Sequence, residues 1–410
     1  MTGSKLLALV LLALIIAATP GASVEVVFTG DVIPHASVKQ TAHNHARVEV
    51  DGTPLNHDGW DHVFGPLSEI FRRADVAVVN LETPITRLRR PATGELVFNA
   101  RPSLVQALAA VGVTVATFAN NHSRDQDLAG ITETRRHLKE AGLQSVGAAG
   151  NEKEAWRPLC FDKNGLSLCF LAFTRFMNGM HNDDDPMKPQ VPIVDYALDR
   201  STGGISEARL LARVREVAGR CDALFVTPHW GEEYYVEPLL ADRRLGRALL
   251  EAGAVAVIGN HPHVLQAVET YARADGREGL IAYSLGNLVS SQGEDDMDTR
   301  RDGLMLSLTV TPGERGATIT RVKGLPVWTD NRGKAGIQPV LADDEISAIR
   351  ERVRLLEPRT DLVSQNERRA LASRLAKATA RRERILSVLP DVRADPNETA
   401  ELAEGAVPHH

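Results

Sequence analysis

Apolar runs that read as β-strands alternate with helix-patterned segments along most of this chain, and nearly every run ends in a short polar motif. Residues 24–29 lead to Gly30-Asp31, residues 76–79 to Asn80-Leu81-Glu82, and residues 113–118 to Ala119-Asn120-Asn121-His122. Residues 223–226 lead to Pro228-His229-Trp230-Gly231-Glu232, residues 255–258 to Gly259-Asn260-His261-Pro262-His263, and residues 280–283 to Ser284-Leu285-Gly286-Asn287. Helical patterns fall at 69–74, 104–111, 128–141, 205–217 and 240–252, with Gly142 and Gly219 as stops. Two β-rich runs, 304–311 and 318–327, follow. This order predicts a layered α/β fold with an open sheet that later gains antiparallel strands. Ligand sites in such sheets gather at the carboxyl ends of the strands. Asp31, Glu82, Asn121, His122, His229, His261 and His263 are therefore expected to converge, although more than two hundred residues separate the first from the last.

Composition narrows the chemistry. The 410 residues are 43% hydrophobic, enough for a sizeable core. A formal net charge of −6 argues against nucleic acid as a partner, since phosphate-backbone binding needs a basic face. Three Cys cannot build a disulfide scaffold or a CxxC metal site, so any metal ligands must come from the carboxylates, amides and 13 His, two of which end the chain.

Residues 1–23 read as a secretory signal peptide: Lys5, an apolar stretch over 6–18, then a small-residue exit at Ser23. The stretch is short for a membrane span, which takes roughly 20 residues; an uncleaved N-terminal anchor is the other reading. Either way the protein is expected to work outside the cytoplasm, secreted or periplasmic. Cys160 and Cys169 flank an Asn164-Gly165 hairpin turn and face each other at a non-hydrogen-bonded position. Two readings stand for them, a cross-strand disulfide and a pair of buried thiols. Cys221 reads as a core residue.

Two stretches are expected to be peripheral to the chemistry. Residues 174–204 interrupt the alternation and read as a loop over the site, with Asp183-Asp184-Asp185 as a solvated turn. Beyond Trp328 the composition shifts to charged helical patterns at 345–355 and 367–389. The expected organisation is a core domain over 24–328 and a helical extension over 329–410 without chemistry of its own.

The motifs point to a metal. Two His at i and i+2 in extended backbone, as in His261-Pro262-His263, project toward one centre. Carboxylate, imidazole and amide donors suit one or two divalent ions, with Mn, Fe or Zn favoured. A bridging carboxylate flanked by His makes a workable two-metal site, which acidifies water and clamps an anionic transition state. His122 is then left as a general acid for a leaving group. Asn287 and the backbone of residues 284–286 are expected to orient substrate oxygens, with His35, Asn80 and Glu232 as further accessory residues.

Six ordered motifs, from Gly30-Asp31-Val-Ile-Pro-His35 to Tyr283-Ser-Leu-Gly-Asn287, resemble those of the bacterial CapA family, capsule synthesis proteins associated with poly-γ-glutamate. The resemblance covers about residues 24–328. It implies a metallophosphatase-like fold similar to calcineurin-like phosphoesterases: a four-layer α-β-β-α sandwich, here with a C-terminal helical appendage. By the same resemblance Asp31 matches the opening metal ligand, Glu82 the bridging carboxylate, Asn121 a ligand, His122 the acid, and His229, His261 and His263 the remaining ligands. The chain departs from the wider pattern in placing Ile33, not His, two residues after Asp31, with His35 the nearest His. It also has Glu at the bridging position and Asn120 where Gly is usual.

Two functions are consistent with these features. One is an exported metal-dependent hydrolase of a phosphoester or an amide or γ-glutamyl bond in an anionic small molecule or surface polymer. The other is a non-catalytic polymer-binding or assembly factor that serves membrane-bound polymer synthase subunits. Clustered His favour the enzyme, because polymer binding alone does not require them.

Overall fold

The computed structural model describes residues 23–49, 55–87, 96–196, 203–293, 295 and 298–390. All of the expected signal but Ser23 lies outside them, as do residues 391–410 and part of the expected loop, 197–202. Among the described residues no helix is long and apolar enough to cross a membrane.

The apolar runs form β1 (Val24–Val32), β2 (Val76–Leu81), β3 (Val115–Phe118), β4 (Gln144–Gly147), β5 (Leu159–Lys163), β6 (Leu166–Thr174) and β7 (Ala223–His229). The later strands are β8 (Ala256–Ile258), β9 (Val268–Ala272), β10 (Glu278–Ala282), β11 (Asn287–Val289), β12 (Asp302–Thr311), β13 (Thr318–Asn331) and β14 (Ile337–Leu341). They build two sheets. The first has the order β14-β13-β12-β1-β2-β3-β4, with β11 also beside β1; the second has the order β5-β6-β7-β8-β10-β9. β1 to β4 run parallel, and β12 to β14 add antiparallel strands to their side. In the second sheet β6, β7, β8 and β10 are parallel, and β5 and β9 are antiparallel edges.

Side-chain alternation sets the layers. Val24, Val26 and Phe28 of β1 face Leu168 and Phe170 of β6 and Phe225 of β7 across the space between the sheets. The Phe28 ring lies 5.2 Å from that of Phe225 and 6.3 Å from that of Phe170. Val27, Ala77 and Val79 point the other way, onto helices Ala36–His45, Trp60–Phe64 and Ser103–Val111. On the far side, Leu171, Phe173, Leu224 and Val226 pack on helices Glu207–Ala218 and Leu240–Glu251. The order of layers is thus α-β-β-α. Sheets covered on both faces use near-continuous apolar strands, which is why these runs stand out in the sequence.

The C-terminal region differs from expectation. The boundary expected at residue 328 falls inside β13, and β14 continues the first sheet. Helices Ala342–Leu356 and Leu362–Leu386 place Ile346, Ile349, Ala378 and Ile385 in the same core that fills the space between the sheets. The first sheet is the wider one, and Leu304, Trp328 and Val340 on its inner face need cover beyond the second sheet's edge. The helical appendage therefore packs on the sandwich and contributes to its core. Arg381 and Arg384 fasten the longer one by donating to the two oxygens of buried Asp302 at 2.7 and 2.9 Å.

Of the two readings for the cysteines, the disulfide holds: Cys160 and Cys169 are bonded, with Cα atoms 4.2 Å apart. Asn164 and Gly165 both have positive φ, as a tight two-residue hairpin turn requires. Cys221 is free and half-buried, packed against the core beneath helices Glu207–Ala218 and Leu240–Glu251.

Asp302→Ala removes the acceptor shared by two cations. Breaking a buried pair in this way is expected to cost about 3 kcal/mol in urea unfolding, with the C-terminal helices becoming the first segment open to limited proteolysis.

Candidate metal centre

The polar motifs meet where the carboxyl ends of the parallel strands of both sheets come together. Asp31 lies near the end of β1, just past a shift in register between Phe28 and Asp31. Such irregularities re-aim a side chain. Gly30 lets the chain pass Gly286 closely: a Cβ there would sit 2.1 Å from the Gly286 carbonyl oxygen. Glu82 follows β2, and its amide donates to the Val32 carbonyl at 3.2 Å. Asn121 and His122 occupy the turn after β3, His229 ends β7, and His261 and His263 follow β8.

His261 and His263 are not in extended backbone as expected. Their φ values are 107° and 56°, so the chain coils around Pro262 in the left-handed region. The rings still reach one centre, with centroids 5.7 Å apart. This geometry is uncommon away from glycine and costs of order 1–3 kcal/mol per residue.

Glu82 is the hub. It is fully buried, and neither carboxylate oxygen has a hydrogen-bond partner. Around its Oε1 stand His229 Nε2 at 3.5 Å, His263 Nε2 at 3.9 Å and His122 Nε2 at 4.0 Å. Burial, and then the Asp31 carboxylate, push the Glu82 carboxyl up to about 8. Burial opposes the charge on His263, but the Glu82 and Asp31 carboxylates outweigh it and lift the imidazole to about 9. His229 is pushed down to about 3 by burial, and His261 falls well below its ordinary value through burial and the neighbouring His229 and His263.

Three groups of donors each lie within 4.8 Å of one another: Glu82, His229 and His261; Asp31, Glu82 and His263; and Glu233, His261 and His263. The first two share Glu82. Unpartnered oxygens on Glu82 and an unpartnered Nδ1 on buried His261 are what a cation site leaves open, so the donor set fits a divalent metal.

The surrounding side chains fix the donors. His263 Nδ1–H donates to Asp31 Oδ2 and to Asn287 Oδ1, both at 3.2 Å, which turns Nε2 toward Glu82. Asn80 donates to Asp31 Oδ1 at 2.7 Å. His229 Nε2 lies 2.7 Å from Asn121 Oδ1, and Asn121 donates in turn to Asn178 Oδ1 at 3.1 Å. His122 Nδ1–H donates to Asp125 Oδ2 at 2.8 Å, which leaves Nε2 facing the centre.

Residues 25–292 match the family model described as bacterial capsule synthesis protein PGA_cap. The chain belongs to this family. The capsule biosynthesis protein CapA of Bacillus anthracis is 32% identical over 244 residues, 58% of this chain and 56% of that protein. The PGA biosynthesis protein CapA of Bacillus subtilis is 30% identical over 241 residues, 57% of this chain and 58% of that protein. The match therefore spans little more than half the length of these curated relatives. A probable polyglutamine synthesis accessory protein of Mycobacterium tuberculosis is 28% identical over 257 residues, 60% of this chain and 64% of that protein. Among solved structures, the calcineurin-like phosphoesterase YfkN of Bacillus subtilis aligns over 75% of this chain and 91% of its own, at 11% identity and a TM-score of 0.39. Every donor residue lies inside the segment that matches the family, and the two C-terminal helices lie outside it.

The accessory residues divide. Asn80 orients Asp31, and Asn287 spends its amide on the His263 and Arg300 carbonyls and on Gln292, so it orients His263 instead of reaching for substrate. His35 is half-buried, accepts from the Ser291 amide at 3.2 Å and lies edge-on to Phe98, outside the three donor groups. Glu232 is exposed and belongs to none of them; its neighbour Glu233 does. Asn120, which stands where Gly is usual, is buried and donates to the Leu81 carbonyl at 2.9 Å, tying the turn after β3 to β2.

Four contacts at the site escaped the sequence reading. Asp125 carried a local signal, since it follows His122 by one helical turn's spacing. Phe98 (4.2 Å from the His122 ring) carried none, because its segment has no pattern. Phe176 and Asn178 belong to the loop expected over the site, and the Phe176 ring stands 4.4 Å from that of His261. Behind that loop, the Arg175 amide donates to the His229 carbonyl, and the Tyr196 hydroxyl donates to Asp242 and accepts from the Gly231 amide at 2.7 Å. In the acidic stretch Asp183 pairs with Lys188 in a surface turn.

Close packing also leaves no room at Gly259. A Cβ there would stand 2.1 Å from the Tyr283 carbonyl oxygen and 2.4 Å from the Trp230 indole nitrogen. Gly259→Ala is expected to lose about 3 kcal/mol in urea unfolding through overpacking, because it forces the segment leading to His261 away from Tyr283 and Trp230.

Proposed function

We propose that this protein is an exported, divalent-metal-dependent hydrolase that acts on an anionic small molecule or surface polymer, at a phosphoester or at an amide or γ-glutamyl bond. The observation that carries this reading is the buried, unpartnered Glu82 carboxylate within 4 Å of three imidazoles. An isolated buried carboxylate costs several kcal/mol, and a cation offsets that cost.

Asp31, Glu82, Asn121, His229, His261 and His263 would hold one or two ions, with Mn, Fe or Zn suited to such mixed donors. A divalent ion held there acidifies water and neutralises negative charge on the reacting group. The chain's own residues supply the rest. Asp125 fixes His122 with Nδ1–H outward, so that in its imidazolium form His122 delivers a proton from Nε2 to a leaving group. Phe98 and Phe176 line the approach and exclude water from the His122 and His261 rings. Asn287 and Asp31 hold His263 in one tautomer.

The Cys160–Cys169 disulfide supports export, since such bonds persist in oxidising compartments. The names of these relatives support a place beside a polymer synthase, and the word accessory in one of them supports the second reading, a non-catalytic polymer-binding or assembly factor. Under that reading the metal-loaded protein turns over neither phosphoesters nor γ-glutamyl amides, and it co-purifies with membrane-bound synthase subunits.

Plasma mass spectrometry of the purified protein is expected to find about one to two equivalents of Mn, Fe or Zn, falling sharply in His263→Ala. Less than about a tenth of an equivalent after reconstitution overturns the metal reading, because such sites hold their ions tightly. In the metal-loaded protein, Asp125→Asn should lower kcat on a chromogenic phosphodiester at least about tenfold with metal content unchanged, the loss expected for a misoriented general acid.

A further inference from the structure

We propose that Glu233 is a metal ligand in its own right, closing the His261–His263 side of the centre from the solvent face. The proposal rests on the reading that the site holds a divalent ion, and extends it to a residue outside the motif ligands.

The position of the carboxylate comes first. A Glu233 oxygen and one ring nitrogen each of His261 and His263 lie within 4.8 Å of one another, although both imidazoles are buried and Glu233 is exposed. Glu232, the adjacent acid, is equally exposed and enters no such group. Proximity to acidic surface is therefore not the reason that Glu233 is there.

The turn that carries it is held in place to a degree a free surface loop is not. Gly231 donates its amide to the Tyr196 hydroxyl at 2.7 Å. Tyr234 donates its amide to the Pro262 carbonyl, also at 2.7 Å, which joins this turn to the residue between the two imidazoles. Gln266 donates to the Tyr235 carbonyl at 2.7 Å, and Gln292 to the Tyr234 hydroxyl at 3.3 Å. Tyr234 itself has a φ of 68°. A bulky side chain in left-handed backbone persists only where its surroundings over-determine it, and such strain gathers at functional sites. Each of these fastenings flanks Glu233 and fixes where its carboxylate can go.

Charge and ligand number point the same way. The buried donors offer three ligands to each of two ions, with Glu82 shared, and transition ions take at least four. Asp31 and Glu82 bring two negative charges to a centre that can take two divalent ions. A third carboxylate from the exposed Glu233 would bring both counts closer to balance without another buried charge, which would be costly.

The test uses the full chain, stripped with chelator and titrated with Co²⁺, read by visible absorption and equilibrium dialysis. Glu233→Ala should weaken binding of at least one ion by about tenfold or more and change the cobalt absorption band, a loss at least as large as that for removing an outer-shell partner. Glu233→Gln should fall between it and the wild type, and Glu232→Ala should match the wild type. Because Glu233 is exposed, the metal-free variants should unfold at the wild-type temperature, which separates ligand loss from misfolding. Wild-type uptake with an unchanged affinity, stoichiometry and spectrum in Glu233→Ala overturns the proposal while leaving the metal reading intact. No uptake by the wild type overturns the metal reading itself.

Discussion

A carboxylate with no hydrogen-bond partner sits at the meeting point of the two sheets, and the local architecture is arranged around it. Glu82 is buried completely, with both oxygens free and three imidazoles within 4 Å. Folding such a group without compensation would consume a large part of the 5–15 kcal/mol by which a typical domain is stable. Without a positive charge there the carboxyl is pushed toward its neutral form, and a cation would hold it ionised. In the absence of an ion His263 supplies some positive charge, because Glu82 and Asp31 favour its protonated form; as a ligand it would lose that proton on binding the ion. His229 and His261 supply none, because burial keeps both neutral. His261 keeps an unpartnered Nδ1, and a neutral imidazole with a free nitrogen is a metal ligand in waiting: the burial that makes it a poor counter-ion makes it a good donor.

Bringing six such residues together requires close backbone approach, and glycine provides it where two strands or turns nearly touch. Gly30 passes the Gly286 carbonyl and Gly259 passes the Tyr283 carbonyl at distances that no side chain would permit. What those positions save in space is partly returned as strain, in the left-handed backbone of His261 and His263. That strain is supported by cores of densely packed aliphatic and aromatic residues on both faces of each sheet. Stability and site geometry are thus set in different layers: apolar layers tolerate the cost, and the strand ends spend it.

Much of this was readable beforehand, and for a physical reason. Strands buried on both faces are written as unbroken apolar runs, so β1, β2, β3, β7 and β8 could be found from sequence, and the motif after each strand fell at the edge where ligand sites collect. Asp31, Glu82, Asn121, His122, His229, His261 and His263 all converge there. What was not legible depended on backbone detail or on distant packing. The direction of His261 and His263 was expected from strand alternation, but their positive φ values follow from the Pro262 turn and its contact with Tyr234, which no local pattern encodes. The choice between Glu232 and Glu233 was likewise undecidable from composition, because two adjacent identical side chains differ only in which way the turn points them. Phe98 reaches His122 from a segment without periodicity, and its proximity follows from the Asp125 carboxylate that accepts its amide at 2.6 Å.

The C-terminal helices show how a composition shift can accompany continued packing, since the first sheet runs on past the expected boundary at residue 328. Residues rich in Arg and Ala read as a charged helical appendage, and they pack on the core by covering the inner face of β12 to β14, where the second sheet runs out. The arginines are part of the reason that the cover holds: Arg381 lies 5.0 Å above the Trp328 ring and shares Asp302 with Arg384. An amphipathic cation of this kind buries its stem on apolar surface while pairing its head, so a charged helix can complete a hydrophobic layer. The family match ends at residue 292, before β12 begins. A sheet that exposed the inner faces of Leu304, Trp328 and Val340 would have to be covered by some element in any protein that shares this arrangement. The chemistry at the strand ends is therefore separable from the element that closes the core, and the two need not be conserved by the same constraint.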